Sequence, residues 1–365
     1  MRSRRHAFHR SVLVATLAAT AALVLSSAVS TAQGLDLDGD RVPDDIEDVT
    51  MREVDWDLFE PDIFVVASRS LGAPADDRFK VAYEDGVFEV SYFREVPGGP
   101  TGVYTLEVPR IFEWRDFDVD EEIEDEEIVA EWAMGTSAFA NGTLTHASWD
   151  SDDGGHVYVF RVRVSLGPQT EATFVLTVAQ RFLRVDAART LTPMEAKLDV
   201  LLNHTPAYPG SGSRIGLEFR IESEGSYDVE YQEESWNAAR GFSEDESWVN
   251  VTNGPMQSTM FFSWANRASV NGVPGDVTVS TTPGEGSGER SLGVRIAFPR
   301  SDETSVRILH DPALGVVSAA YEGILLKPAE PTLEGDVFLY GASLAGMAAV
   351  VAASVVLANR RHQRK

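Results

Sequence analysis

The sequence predicts a mainly β protein: an antiparallel β-sandwich ectodomain, built as two sandwiches or one large one, carried on a single C-terminal transmembrane helix. Three observations predict it. Apolar and polar residues alternate with period two over most of the interior, the mark of strands with one buried and one wet face. The punctuation between those runs is Gly, Pro, Asn and Ser. Val337 to Ala358 is a run of 22 uncharged residues followed by a basic tail, long enough to cross a bilayer as a helix that satisfies its own backbone.

Taken in order, residues 1–32 read as a signal peptide. Arg2, Arg4, Arg5 and Arg10 precede an apolar stretch from Val12 to Leu25, and small residues ending Ser30-Thr31-Ala32 mark the cleavage site. Residues 33–54 form the next segment, in which Asp36, Asp38, Asp40, Asp44 and Glu47 occupy positions 1, 3, 5, 9 and 12 of a twelve-residue loop. Val42 stands at position 7, where a backbone carbonyl is wanted. Alternating carboxylates in a turning loop converge on one point, and Ca²⁺ takes six to eight oxygens in flexible geometry. The loop resembles the thrombospondin type 3 and dockerin-like calcium repeats over these twelve residues only. That resemblance implies side-chain ligation by Asp36, Asp38, Asp40, Asp44 and Glu47, with the Val42 carbonyl completing the set. Arg41 departs from the pattern, since such loops usually carry Gly at position 6.

Residues 55–204 and 205–330 are predicted as two β-rich domains, divided at the sparse Thr205–Ser213 stretch; one continuous sandwich with that stretch as an excursion is the competing arrangement. Asp85-Gly86 is a hairpin turn joining 79–84 to 87–93. Further strands are predicted where Tyr158, Phe160, Val162 and Val164 alternate with Arg161, Arg163 and Ser165. Others fall around Phe174–Val178, Leu217–Ile221 and Leu292–Phe298. Val119–Trp132 and Asp45–Met51 are the two short helices expected. Trp114, Trp132 and Trp149 fall among strand patterns and are expected in the core. Residues 331–336 are a stalk, 337–358 the transmembrane helix and 359–365 a cytoplasmic basic tail. Arg360, Arg361, Arg364 and Lys365 hold that end inside, which puts the ectodomain outside the cell membrane.

Composition limits the partners. All 57 acidic residues lie between Gln33 and Asp336, against 23 of the 31 basic ones. Such a surface repels nucleic acid and attracts cations. There is no cysteine, so neither disulfide nor thiol chemistry is available. Asn141, Asn203 and Asn250 begin glycosylation sequons on the exported side. The acidic runs Asp116–Glu127 and Asp150–Gly155 read first as a charged loop and a hairpin turn.

No catalytic signature stands out. The histidines are not paired at zinc-ligand spacing, and no nucleophile elbow or phosphate-binding Gly-rich loop is present. His310-Asp311 reads as a turn start before Pro312. The resulting expectation is a protein that is not an enzyme: a membrane-anchored, calcium-binding cell-surface module with an adhesion, scaffold or ligand-binding role, taking a glycan or a surface protein as partner. The alternative is an anchored envelope hydrolase or lyase acting on polysaccharide.

Overall fold

The computed structural model describes residues 51–59, 63–70, 77–94, 101–151, 155–185, 190–210, 212–223, 226–232, 246–252, 258–283 and 290–318. The calcium loop, signal peptide, stalk, apolar run and basic tail lie outside them, as do Trp236 and the expected Asp45–Met51 helix except its last residue. Among the described residues no helix is long and apolar enough to cross a membrane.

In chain order the strands begin with β1 (Arg52–Phe59), β2 (Ile63–Ser70), β3 (Asp77–Glu84), β4 (Val87–Arg94), β5 (Thr101–Trp114) and β6 (Ile128–Ala133). One short helix, α1 (Thr136–Phe139), precedes β7 (Thr143–Asp150), β8 (His156–Ser165), β9 (Thr170–Ala179), β10 (Leu183–Arg184), β11 (Thr190–Leu191) and β12 (Glu195–His204). Then come β13 (Arg214–Ser223), β14 (Ser226–Gln232), β15 (Glu246–Thr252), β16 (Ser258–Ala265) and β17 (Arg267–Val270). The last are β18 (Val273–Asp276), β19 (Thr278–Pro283), β20 (Arg290–Ala297), β21 (Val306–His310) and β22 (Ala313–Ser318).

Two antiparallel sheets hold nearly all of them. The smaller runs β1-β2-β3-β4-β5-β13-β20-β19, with β6 also on β5. The larger runs β14-β15-β16-β22-β12-β21-β17-β18, and β9, β8 and β7 extend it from β12. Their inner faces share one core, in which Phe64 stacks on Phe160 at 4.4 Å and Phe219 meets Phe262 at 5.1 Å between ring centres. The Tyr104 hydroxyl donates to the Phe261 carbonyl at 2.6 Å, tying one sheet to the other. Aromatic and β-branched residues at every second position build this interface because side chains alternate across a strand.

Position 205 does not separate two folding units. β12 lies before it and pairs with β21 and β22 after it; β5 lies before it and pairs with β13. The described residues all fall within one compact unit. The Thr205–Ser213 stretch joins β12 of one sheet to β13 of the other and is anchored by Glu113, which is wholly buried. Its carboxylate accepts from the Ala207 amide at 2.8 Å, the Tyr208 amide at 3.2 Å and the Ser213 hydroxyl.

Val119–Trp132 is not a helix. Asp116 accepts from the Val119 amide at 2.6 Å, and Asp120 accepts from the Glu122 amide at 2.8 Å. Local carboxylates thus capture the amides a helix would need. Val119 and Glu121 turn to positive φ, and the run ends in a single 3-10 turn before β6. Two guanidinium groups pin it to the outer face of the smaller sheet. Arg295 donates to Asp125 at 2.7 Å and to the Ile123 carbonyl at 3.1 Å, and Arg110 reaches Glu218 at 2.8 Å and Glu131 at 2.7 Å. The Asp85-Gly86 hairpin forms as expected, with φ of 52° and 93°. Phe139 packs so closely over Gly86 that a Cβ there would meet its ring at 2.3 Å.

Candidate functional site

The sequence-predicted metal ligands Asp36, Asp38, Asp40, Val42, Asp44 and Glu47 all lie outside the described residues. Among the described residues one group of acids could hold a cation: Asp116, Asp118 and Asp120, whose carboxylate oxygens lie within 4.8 Å of one another. They belong to the acidic run read from sequence as a charged loop, and two of the three are exposed.

A second titratable group crosses the centre of the larger sheet. Asp199 of β12 and Asp311 stand opposite one another, since Val200 pairs with His310 and Lys197 with Ala313. Like charges so placed repel. Lys197 offsets this by bridging them, ion-pairing with Asp199 and reaching Asp311 at 3.3 Å. Burial pushes the Asp199 carboxyl up to about 6, whereas Lys197 holds Asp311 low against the opposing effect of burial. His310 is buried, donates from Nε2 to the Ala265 carbonyl at 2.8 Å, and desolvation, the largest effect, pushes its imidazole down. His204 is buried too: Nδ1 lies 2.9 Å from the Thr170 hydroxyl, Trp132 packs edge-on at 4.3 Å, and desolvation pushes the imidazole down to about 4. Both histidines sit in the core.

The third constellation opens to solvent. β1 and β7 are the end strands of their respective sheets and face each other across the sandwich. Along β1, Val54, Trp56 and Leu58 alternate with acids, and this pattern turns the indole inward at the open edge. Trp56 stacks on His146 with ring centres 4.0 Å apart and meets Phe160 edge-on at 6.1 Å, yet stays 40% exposed. Tyr158 sits on the same face of β8, opposite Ser148, two residues along from Phe160, which faces His146. Asp55 and Asp150 lie near enough that their charge, added to the larger effect of burial, pushes the Tyr158 phenol up. Asp150 pairs with His156, whose ring lies 6.3 Å from that of Tyr158. Burial pushes the His146 imidazole down, and its Nε2 is out of solvent without a hydrogen-bond partner among the described residues.

An exposed indole backed by an imidazole, with a phenol further along the same edge, can stack a flat apolar face. Sequence reading did not single out Trp56, His146 or Tyr158 as a site. Trp248 is buried, and Trp236 lies outside the described residues. Of the three tryptophans expected in the core, Trp114 is buried and Trp132 packs against the main core from its edge, but Trp149 is 49% exposed because it points to the outer face of the end strand. Of the sequon residues, Asn141 and Asn203 are exposed and Asn250 is half-buried.

No protein-family model matches this sequence, and no curated protein matches it. A solved structure from Klebsiella pneumoniae, described as a "putative aldose 1-epimerase", matches 73% of this chain and 88% of its own, at 10% identity and a TM-score of 0.27. The expectation that the protein is not an enzyme does not stand beside a match described as an enzyme, and is withdrawn. At that TM-score the likeness supplies no activity in its place.

Proposed function

We propose that this chain is a surface-displayed β-sandwich that binds carbohydrate at the mouth between β1 and β7. The observation that carries the reading is the 40% exposed Trp56 indole, stacked on His146 at the open edge, with Tyr158 two residues along β8 from the Phe160 that backs it. Sugars offer apolar C–H faces to aromatic rings and hydroxyls to polar groups, and the Trp56 indole with the Tyr158 hydroxyl further along the edge supplies both kinds of partner. In the same reading, the uncharged Val337–Ala358 run anchors the chain in the cell membrane with its bulk outside, and Ca²⁺ held by the Asp36–Glu47 loop stiffens the approach to β1.

The Asp199–Asp311 pair does not serve the alternative reading, a polysaccharide hydrolase. Those carboxyls hydrogen-bond one another, too close for the separation of at least about 5 Å that either glycosidase mechanism needs. The test is a glycan-binding screen on the purified full-length protein and on Trp56→Ala. Truncating a tryptophan anchor costs about 2 kcal/mol, or roughly thirtyfold in Kd. An equal glycan profile for the two proteins refutes the reading.

A further inference from the structure

We propose that the free edge of β1 is a peptide-docking surface, taking as an added strand an extended segment in which apolar residues alternate with Lys or Arg. The inference stands apart from the carbohydrate reading. β1 ends its sheet and pairs only with β2 among the described residues. Arg52 donates its amide to the Gln180 carbonyl at 2.8 Å, so that N–H points away from β2. Backbone groups alternate sides along a strand with period two. The register with β2 is regular from Arg52 opposite Ser70 to Phe59 opposite Ile63, and no bulge resets the alternation. Val54, Trp56 and Leu58 therefore also turn N–H and C=O away from β2, and no described residue pairs with them on that side. The bond to Gln180 closes the edge at Arg52 and leaves it open from Val54 onward.

The same period sorts the side chains of an incoming antiparallel strand. Its residues opposite Val54, Trp56 and Leu58 fall on the inward face, where Trp56 is 40% and Leu58 39% exposed, so apolar side chains there cover both. Its residues opposite Glu53, Asp55 and Asp57 fall on the outer face beside three carboxylates. Arg69 of β2 engages Glu53 at 2.7 Å and reaches Asp55 only at 3.8 Å, and Asp57 has no ion pair among the described residues. Lys or Arg in the partner completes that row. A second copy of β1 would instead set acid against acid, which disfavours self-pairing. The acidic excess of the whole chain draws any polycation toward the surface, but strand addition further requires the free backbone groups of β1.

The experiment measures binding of the full-length protein to three end-capped peptides: alternating Lys and Val, the same peptide N-methylated at its Val residues, and alternating Glu and Val. The expected result is Lys–Val binding at least about tenfold tighter than either control. Hydrogen exchange at the Val54, Trp56 and Leu58 amides should slow in the complex. Leu58→Pro removes an outward N–H and leaves the ladder to β2 intact; it should weaken the peptide at least about tenfold and spare glycan binding at Trp56. Asp55→Asn with Asp57→Asn should weaken the peptide about fivefold at low salt and little at high salt. Failure of the Lys–Val peptide to bind overturns the proposal. So does equal binding of its N-methylated form, which carries the same charge and reduces the effect to diffuse attraction. Unchanged exchange at those three amides in a saturated complex overturns it as well. A dimer in sedimentation that Leu58→Pro dissolves makes a second copy the occupant and overturns the peptide. An equal glycan profile for the parent and Trp56→Ala removes the carbohydrate reading and leaves this one standing.

Discussion

Glu113 is a charge with no exposure at the end of a β-strand, and its removal gives the sharpest stability test of the fold. Its carboxylate takes hydrogen bonds from the amides of Ala207 and Tyr208 and from the Ser213 hydroxyl. Glu113→Ala strands all three donors, and each unsatisfied buried group costs about 1–3 kcal/mol. Water entering from the loop side satisfies part of them, so the expected loss is about 3–6 kcal/mol. At roughly 2–3 °C per kcal/mol for a chain of this size, the melting temperature falls by about 10 °C. Glu113→Gln keeps the volume and one acceptor oxygen but turns an amide NH₂ toward a donor, for a loss of about 1–2 kcal/mol. Urea and thermal melts of the full-length protein measure both variants. Hydrogen exchange at the Ala207 and Tyr208 amides localises the effect, since opening there should accelerate before the sheets exchange. An alanine variant within about 1 kcal/mol of the parent, or unchanged exchange at those two amides, refutes the argument that this side chain holds the inter-sheet crossover.

Other predictions follow from groups already described. Folding favours the protonated Asp199, raised from 3.8 to about 6, so its contribution is present below pH 3.8 and is lost as pH rises through about 6. Asp199→Asn should flatten the fall in stability between those limits, and an unchanged pH profile in urea melts counts against the shift; Asp311, held low, acts in the opposite sense at lower pH. Gly216 has no room for a side chain, since a Cβ would lie 2.3 Å from the Phe112 ring and 2.8 Å from the Ile296 carbonyl. Gly216→Ala should therefore lose about 1–3 kcal/mol, and a neutral result in the same melts would show that Phe112 moves freely. Ca²⁺ at a hundredfold excess over Kd should stabilise the full-length protein by about 2.7 kcal/mol. Replacing Asp36 and Asp38 by Ala should abolish that shift in a calorimetric scan.

Much of the fold was legible because period-two alternation survives wherever one face of a strand is wet. β3, β4, β8, β9, β13 and β20 all lie on runs where alternation is plain, and Asp85-Gly86 marks its own turn. Alternation failed where both faces are covered. Phe112, Glu113 and Trp114 are consecutive and all buried, because the acidic run folds back over the outer face of β5. Nothing local distinguishes Glu113 from an exposed glutamate; its partners lie about a hundred residues downstream, and only the sheet pairing brings them in. The misread helix has a similar cause, since alternate carboxylates suit a capping turn as well as a helical face. The site was partly legible. Val54, Trp56 and Leu58 alternate with Glu53, Asp55 and Asp57, which is enough to put Trp56 on an inward face, but not to show that its strand ends a sheet opposite His146.

The strand pairing has a consequence for how the molecule comes into being. β5 waits for β13, which in turn pairs with β20, and β12 waits for β21 and β22, so the smaller layer is complete only at residue 297 and the larger only at residue 318. Loop-closure entropy over such separations makes nucleation slow, and truncated products would carry bare, sticky edges rather than a usable half. A nascent chain of this design therefore depends on being shielded until its last strand arrives, and two fragments cut near Pro206 should regain the native state only when mixed.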